Sequence, residues 1–188
     1  MPKDAFKDRE RAIEDEFFHR VDEKLLNELK LKLATEQEIQ ALSEATGFTD
    51  HDLLNELVEL GLSPESVMAI SLVPLVLVAW ADRRVDAKER PAIIKAAKDQ
   101  GIFDGSPAAR MLKHWLNNEP SPKLTLVWKH YIGKMRSELP AETCEALRHD
   151  FERRTRAIAK VSGGHLGFGR ISEAEKQVIA ELHKAFEN

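Results

Sequence analysis

The sequence predicts an all-α protein, a single helical bundle of about nine helices around a buried central helix. Three observations carry that prediction. Val67 to Ala81, VMAISLVPLVLVAWA, runs for fifteen residues without a charge, and Ser71 is its one polar side chain. A surface helix shows a polar residue at every turn, so a stretch apolar all round belongs in the interior. Helix start and stop signals recur along the whole chain, and no alternating strand pattern of useful length interrupts them. The long apolar run falls short of the roughly 20 residues a membrane span needs.

Taken in order, residues 3–33 read as one long helix. Phe6, Ile13, Phe17, Val21, Leu25 and Leu29 follow at steps of seven and then four, and Phe18 and Leu26 widen that stripe. Two roles are open to it: an arm packed on its own domain, or a homodimer contact through residues 3–33. Thr35-Glu36-Gln37-Glu38 reads as a capping box that opens a second helix, stopped by Gly47. Thr49-Asp50-His51-Asp52 starts the next, and Gly61 ends it. Ser63-Pro64 opens the buried helix, where Pro74 removes the bond to the Ile70 carbonyl and predicts a bend. Asp86-Ala87-Lys88-Glu89 is an N-cap signature for a helix through Ile93 and Ala97 to Gly101. Ser106-Pro107, Ser121-Pro122 and Pro140 open three more, and Ser172-Glu173-Ala174-Glu175 caps the last. The organisation this suggests is an arm with short helices over 1–63 and a bundle over 64–188.

Composition narrows the class. Residues 1–63 carry a net charge of −8 and residues 64–188 one of +4, so the simplest arrangement docks an acidic first third on a slightly basic remainder. Arg153, Arg154, Arg156 and Lys160 form the basic stripe expected to receive it. No basic footprint of a nucleic-acid binder is present. A single cysteine, Cys144, leaves no internal disulfide and suits a reducing cytoplasm. The first residues are charged throughout and do not read as a secretory signal. Trp80, Trp115 and Trp128 are expected in the core.

Two segments echo each other at an offset of 86. Val85-Asp86-Ala87-Lys88-Glu89-Arg90 aligns with Ile171-Ser172-Glu173-Ala174-Glu175-Lys176, each followed by an isoleucine, Ile93 and Ile179. Each is an apolar anchor, an N-cap, a capping-box glutamate and an apolar residue four further on, preceded by Leu77-Val78-Ala79 or Ala157-Ile158-Ala159. Such units can pair about a pseudo-twofold axis that buries both anchors. The competing reading is that capping boxes are common and resemble one another.

Ala79-Trp80-Ala81-Asp82-Arg83-Arg84-Val85-Asp86-Ala87-Lys88-Glu89 resembles the A-x-A-D-G-x-[IV]-[SD]-x-x-E signature of the tellurite-resistance TerB-like family. Residues 159–175 resemble the matching tail of bacterial members, and the likeness covers about residues 64–188. The resemblance implies a helical bundle with internal pseudo-symmetry, no catalytic activity, a link to stress response, and acidic positions that are candidates for binding metal. Carried over, Asp82, Glu89 and Glu175 hold those positions. Arg83 replaces the family's usual glycine, and Phe168 replaces a second aspartate. Phe6-Lys7-Asp8-Arg9-Glu10-Arg11-Ala12-Ile13-Glu14 is similar to the start of the ATP-synthase inhibitor zeta family, which implies a regulatory arm that engages a larger ATPase.

The candidate chemistry is thin. Asp82 to Glu89 has the spacing of half an EF-hand loop, but Val78 and Trp80 fill positions that must ligate calcium. What stays open is a weak divalent-cation site on two or three carboxylates, or a set of caps and surface ion pairs. The loop Gly163-Gly164-His165-Leu166-Gly167-Phe168-Gly169 follows a helix rather than a strand, so it reads as a helix end instead of a phosphate cradle. No two histidines have zinc spacing, and Cys144 has no adjacent base. The expectation is a cytoplasmic, non-enzymatic protein that acts through a protein partner, without nucleic acid or a membrane span.

Overall fold

Helix α1 (Lys3–Thr46) runs unbroken through the position where a second helix was expected to begin. Thr35 is not an N-cap. Its hydroxyl donates back to the Leu31 carbonyl at 3.0 Å, the bond of a threonine inside a helix. No glycine or proline lies between Leu33 and Glu38, so nothing forces a break. In this computed structural model the described residues are 3–162 and 171–187, with side chains from 24 to 161 and 171 to 187. They form eight α-helices and no strand. The expectations for the loop at 163–169, His165 and Phe168 included, lie outside the described residues, as do the side chains of Phe6, Ile13, Phe17, Phe18 and Val21.

The arm of α1 is not packed on its own domain within the described residues. Residues 24–34 are exposed throughout, and Leu25, Leu26, Leu29, Leu31 and Leu33 are 51–70 % exposed. Contact with the body begins at Ile39 and Leu42, which are buried against α2 (His51–Glu59). Among the described side chains, no ion pair joins the basic stripe to the arm. Arg153 and Arg154 both pair with Asp150 on their own helix, each at 2.5 Å. At helical spacing those neighbours are always at hand, whereas an arm has to be held in place.

The buried run is where composition put it, but in two pieces. Val67–Leu72 is a 3-10 turn, and α3 (Val73–Ala79) begins beside it. Pro74 sits in the first turn of α3, where its missing N–H costs nothing, instead of bending one longer helix. Ala69, Ile70, Leu72, Val73, Leu75, Val76, Val78 and Ala79 are all exposed by 2 % or less. Each large side chain buried in this way contributes about 1.5–3 kcal/mol. Of the tryptophans, Trp115 and Trp128 are buried and Trp80 is half-buried; Cys144 is half-buried as well.

The remaining helices are α4 (Glu89–Asp99), α5 (Pro107–Asn117), α6 (Pro122–Glu138), α7 (Ala141–Ser162) and α8 (Glu173–His183). Their starts follow local chemistry. Ser106 accepts from the Ala109 N–H at 3.1 Å, and Asp50 does the same for α2 from Leu53 at 2.9 Å. α3 packs along α7, α4 packs on α7, and α8 packs on α3. Exchanging the α3–α4 pair with the α7–α8 pair leaves that set of contacts unchanged, the relation a pseudo-twofold requires. Both anchors, Val85 and Ile171, pack against the core from its edge.

Candidate functional site

The two echoing segments become two helix-opening corners. In the first, the Asp86 N–H donates to Glu89 Oε2 at 2.8 Å. In the second, the Ser172 N–H donates to Glu175 Oε2 at 2.6 Å, and the Glu175 N–H donates to Ser172 Oγ at 3.1 Å. The second corner is thus a complete capping box and the first a half one. Asp86 turns its carboxylate to the Lys88 N–H at 2.6 Å and does not reach the Glu89 N–H. An aspartate readily closes on the residue two further on, and here that short turn wins.

Both glutamates are interior side chains, Glu89 at 2 % exposure and Glu175 at 4 %. Buried carboxyls are rare unless their oxygens are engaged, and the cap bonds engage one oxygen of each. The Glu89 carboxyl is pushed up to about 7, chiefly by burial and further by the charges of Asp86, Asp82 and Glu175, against the pull of the Asp86 N–H. Glu175 is near enough to act on Glu89 through its charge, more weakly than Asp86 or Asp82. Asp82 stands apart. It is exposed, and Arg84 Nε approaches it at 3.9 Å, a surface pair that contributes little.

Of the three carried-over acids, Glu89 and Glu175 are buried and Asp82 is exposed. Among the described residues, no group of three or more histidine, cysteine, aspartate or glutamate side chains is arranged to hold a metal ion. The buried Glu89 carboxyl also suits a proton. A neutral glutamic acid still accepts an N–H bond on one oxygen while its other oxygen carries the hydrogen.

Arg83 supplies the backbone reason for the first corner. At φ 67° it is the one non-glycine residue with positive φ among the described residues. That conformation costs a side-chain-bearing residue about 1 kcal/mol or more and is natural for glycine. The turn needs glycine geometry at the position where the TerB-like signature has glycine, and arginine adopts it here.

Two residues of the corner were not foreseen from the sequence as partners of another helix. Trp80 Nε1 donates to the Trp115 carbonyl at 2.9 Å, and Arg90 Nη2 donates to the Leu116 carbonyl at 2.8 Å. Arg90 Nη1 also reaches Asn117 Oδ1 at 2.8 Å. These donors cap the C-terminal carbonyls of α5 and place a positive charge where the helix dipole favours it. A tryptophan and an arginine flanking a turn carry no local sign of which distant helix they will cap. Comparison with protein-family models, curated proteins and solved structures finds no match for this chain.

Proposed function

We propose that this is a non-catalytic helical adaptor of TerB-like organisation, associated with stress response in the cytoplasm, which works through protein–protein contacts made by α1. The observation that carries the reading is the arm. Leu25, Leu29 and Leu33 follow at four-residue steps with Leu26 beside them, so four exposed leucines share one face. Ile39 and Leu42, which hold α1 to the body, lie roughly a third of a turn away from that face. Docking on the body therefore leaves the leucine face turned elsewhere. Isolated helices are marginal in water and draw their stability from packing an apolar face, so this one calls for a partner.

The TerB-like part rests on the left-handed Arg83 at the signature's glycine position and on the exchange symmetry of the α3–α4 and α7–α8 pairs. A weak divalent cation at Asp82, Glu89 and Glu175 belongs to the same reading. Its test is a calcium, magnesium or zinc titration followed by tryptophan fluorescence, repeated on Asp82→Asn. No response at millimolar cation removes it. No helix among the described residues is long and apolar enough to cross a membrane, which fits a protein-directed role.

The arm is tested with Leu26→Glu/Leu29→Glu in the full chain. Sedimentation reports self-association through residues 3–33, and affinity capture reports a different partner. The double variant should keep the melting temperature of the body while losing the association. An association unchanged by both charges sinks the adaptor reading. A second reading, a regulatory arm that engages a larger ATPase, is favoured by the same projecting charged helix. Captured nucleotide-hydrolysing activity that the double variant fails to bind separates it from a homodimer.

A further inference from the structure

An open groove of about 710 Å³ lies between α7 and α8. Arg156 and Lys160 line it from α7, and Lys176 and Lys184 line it from α8 and the turn just after it. Within each pair the spacing is four or eight residues, so both cations share a helix face. Ile171 and Ile179, both half-buried, and Ala180 supply an apolar lining.

Two carboxylates also line the groove, and both are engaged. Glu152 Oε1 lies 2.8 Å from Arg148 Nη1 and from His183 Nε2, and Glu187 Oε1 lies 2.9 Å from His183 Nδ1. Lys176 and Lys184 hold surface pairs with Glu173 and Glu181 at 2.6 and 2.9 Å, which contribute little. Arg156 and Lys160 are exposed and make no ion pair or hydrogen bond among the described residues; Arg156 acts on Glu152 through its charge alone. The groove thus offers unspent positive charge beside an apolar lining.

The opposite pattern lies on the same chain. Within residues 14–23 of α1, Glu14, Asp15, Glu16, Asp22 and Glu23 stand against Arg20, five acids to one base for a net of −4. At helical spacing Asp15 and Asp22 fall on one side of the stripe of Ile13, Phe17, Phe18 and Val21, and Glu16 and Glu23 fall on the other. An apolar stripe between two acidic edges complements an apolar groove between two basic rims. The lengths agree too: Glu16 to Glu23 spans about 10 Å of helix, and Lys176 to Lys184 about 12 Å.

The arm does not reach the groove of its own body. Helix α1 is unbroken from Lys3 to Thr46, without glycine or proline, and meets the body at Ile39. At about 1.5 Å per residue, Glu23 stands about 24 Å and Glu14 about 38 Å along the helix from that point. Turning the tip back would need a sharp kink, for which the sequence has no proline or glycine.

We propose that residues 14–23 of α1 dock in the α7–α8 groove of a second copy of this chain, acidic edges against Arg156, Lys160, Lys176 and Lys184. This rests on the reading of α1 as a contact arm and names the surface that receives it. The complement the groove needs is carried by the same polypeptide, which favours a second copy over a foreign protein. Two copies that exchange arms close a dimer about a twofold axis.

Sedimentation of the full chain should show self-association that weakens as salt rises, since the pairing charges lie at the surface. Glu16→Lys/Glu23→Lys in the arm and Arg156→Glu/Lys160→Glu in the groove should each weaken it about tenfold or more. The arm variant keeps a sound groove and the groove variant a sound arm, so an equimolar mixture should recover association that neither shows alone. A wild-type chain that stays monomeric, association indifferent to the groove charges, or a mixture no better than its parts would each overturn the proposal. If Leu26→Glu/Leu29→Glu abolishes association and Arg156→Glu/Lys160→Glu does not, the contact arm stands and the groove assignment falls. Should Arg156→Glu/Lys160→Glu not fold, Arg156→Gln/Lys160→Gln takes its place, with a smaller loss in the same direction.

Discussion

The two corners are built on one plan and differ in what surrounds the buried glutamate. At the second, Ser172 is neutral and completes its capping box, and the following Lys176 pairs with the surface residue Glu173. At the first, Asp86 brings a charge, leaves the box half closed, and is followed by Arg90, which reaches across to the end of α5. The same backbone device thus serves as a plain helix start in one half. In the other it is a tie between helices, with a carboxyl that keeps its proton to near neutrality. The lesson is that a capping glutamate, once buried and set among other acids, becomes a pH-sensitive element without losing its cap.

The strongest way to break this contrast is to remove the buried side chain. Glu89→Ala deletes the acceptor of the Asp86 N–H and leaves a small void, so it should cost about 2–3 kcal/mol at pH 5. At pH 8 the wild-type carboxyl is ionised in a poor environment, and the same substitution should cost less than about 1 kcal/mol. Urea unfolding at the two pH values reads both numbers. An equal cost at each pH would show that burial does not disfavour the charged form.

The next effect is on the wild type itself. The folded protein holds the Glu89 proton to about 7, while the unfolded chain releases it near the ordinary glutamate value of 4.5. Across that window the folded state binds more protons, so stability falls as pH rises from about 4.5 to 7, by about 3 kcal/mol in all. Glu89→Gln keeps an acceptor for Asp86 without the charge and should flatten that fall. The carboxylates held below their usual range by lysine or histidine partners, Asp50, Glu59, Glu152 and Glu181 among them, act at the opposite end, losing stability as pH drops through the acid range.

Much of this architecture was legible in the sequence, and the parts that were not share a cause. The core run at Val67–Ala81 follows from composition alone, and Ser172 and Gly47 mark helix ends because capping and positive φ are local requirements. Thr35 misled because a Thr-x-x-Glu string looks the same whether its hydroxyl caps a helix or bonds back within one. Pro74 misled in a similar way, since a proline in the first turn and a proline at a bend occupy the same apolar run. The exposed leucines of α1 show the remaining limit: periodicity reports that a face is apolar and says nothing of what lies against it. Of the candidate site, the echo identified both glutamates, Glu89 and Glu175. The ties from Trp80 and Arg90 to α5 are long-range facts with no local trace.

A smaller change sharpens the comparison at the backbone. Arg83 holds a left-handed conformation that glycine adopts freely, so Arg83→Gly should raise stability by about 1 kcal/mol, net of the greater freedom glycine has in the unfolded chain. Gly101, at φ 80°, is the reverse case, and Gly101→Ala should lower stability by about the same amount. A thermal melt of each at pH 5 measures them. A loss on Arg83→Gly would mean that the arginine side chain makes up for its own strain.

The smallest effect on stability is the most direct test of why the corners differ. Asp86→Ser writes the second corner's residue into the first. It offers the Glu89 N–H the acceptor that Ser172 gives Glu175, and gives up the turn bond to the Lys88 N–H. The net change at pH 5 should stay within about 0.5 kcal/mol. The charge is what matters: without Asp86, one of the three acids that raise the Glu89 carboxyl is gone, so the fall in stability should end at lower pH and be smaller. Asp82→Asn should move the midpoint in the same direction, and the double substitution further than either. A midpoint that stays in place in all three would assign the shift to burial alone, and the half-closed cap would then have no part in it.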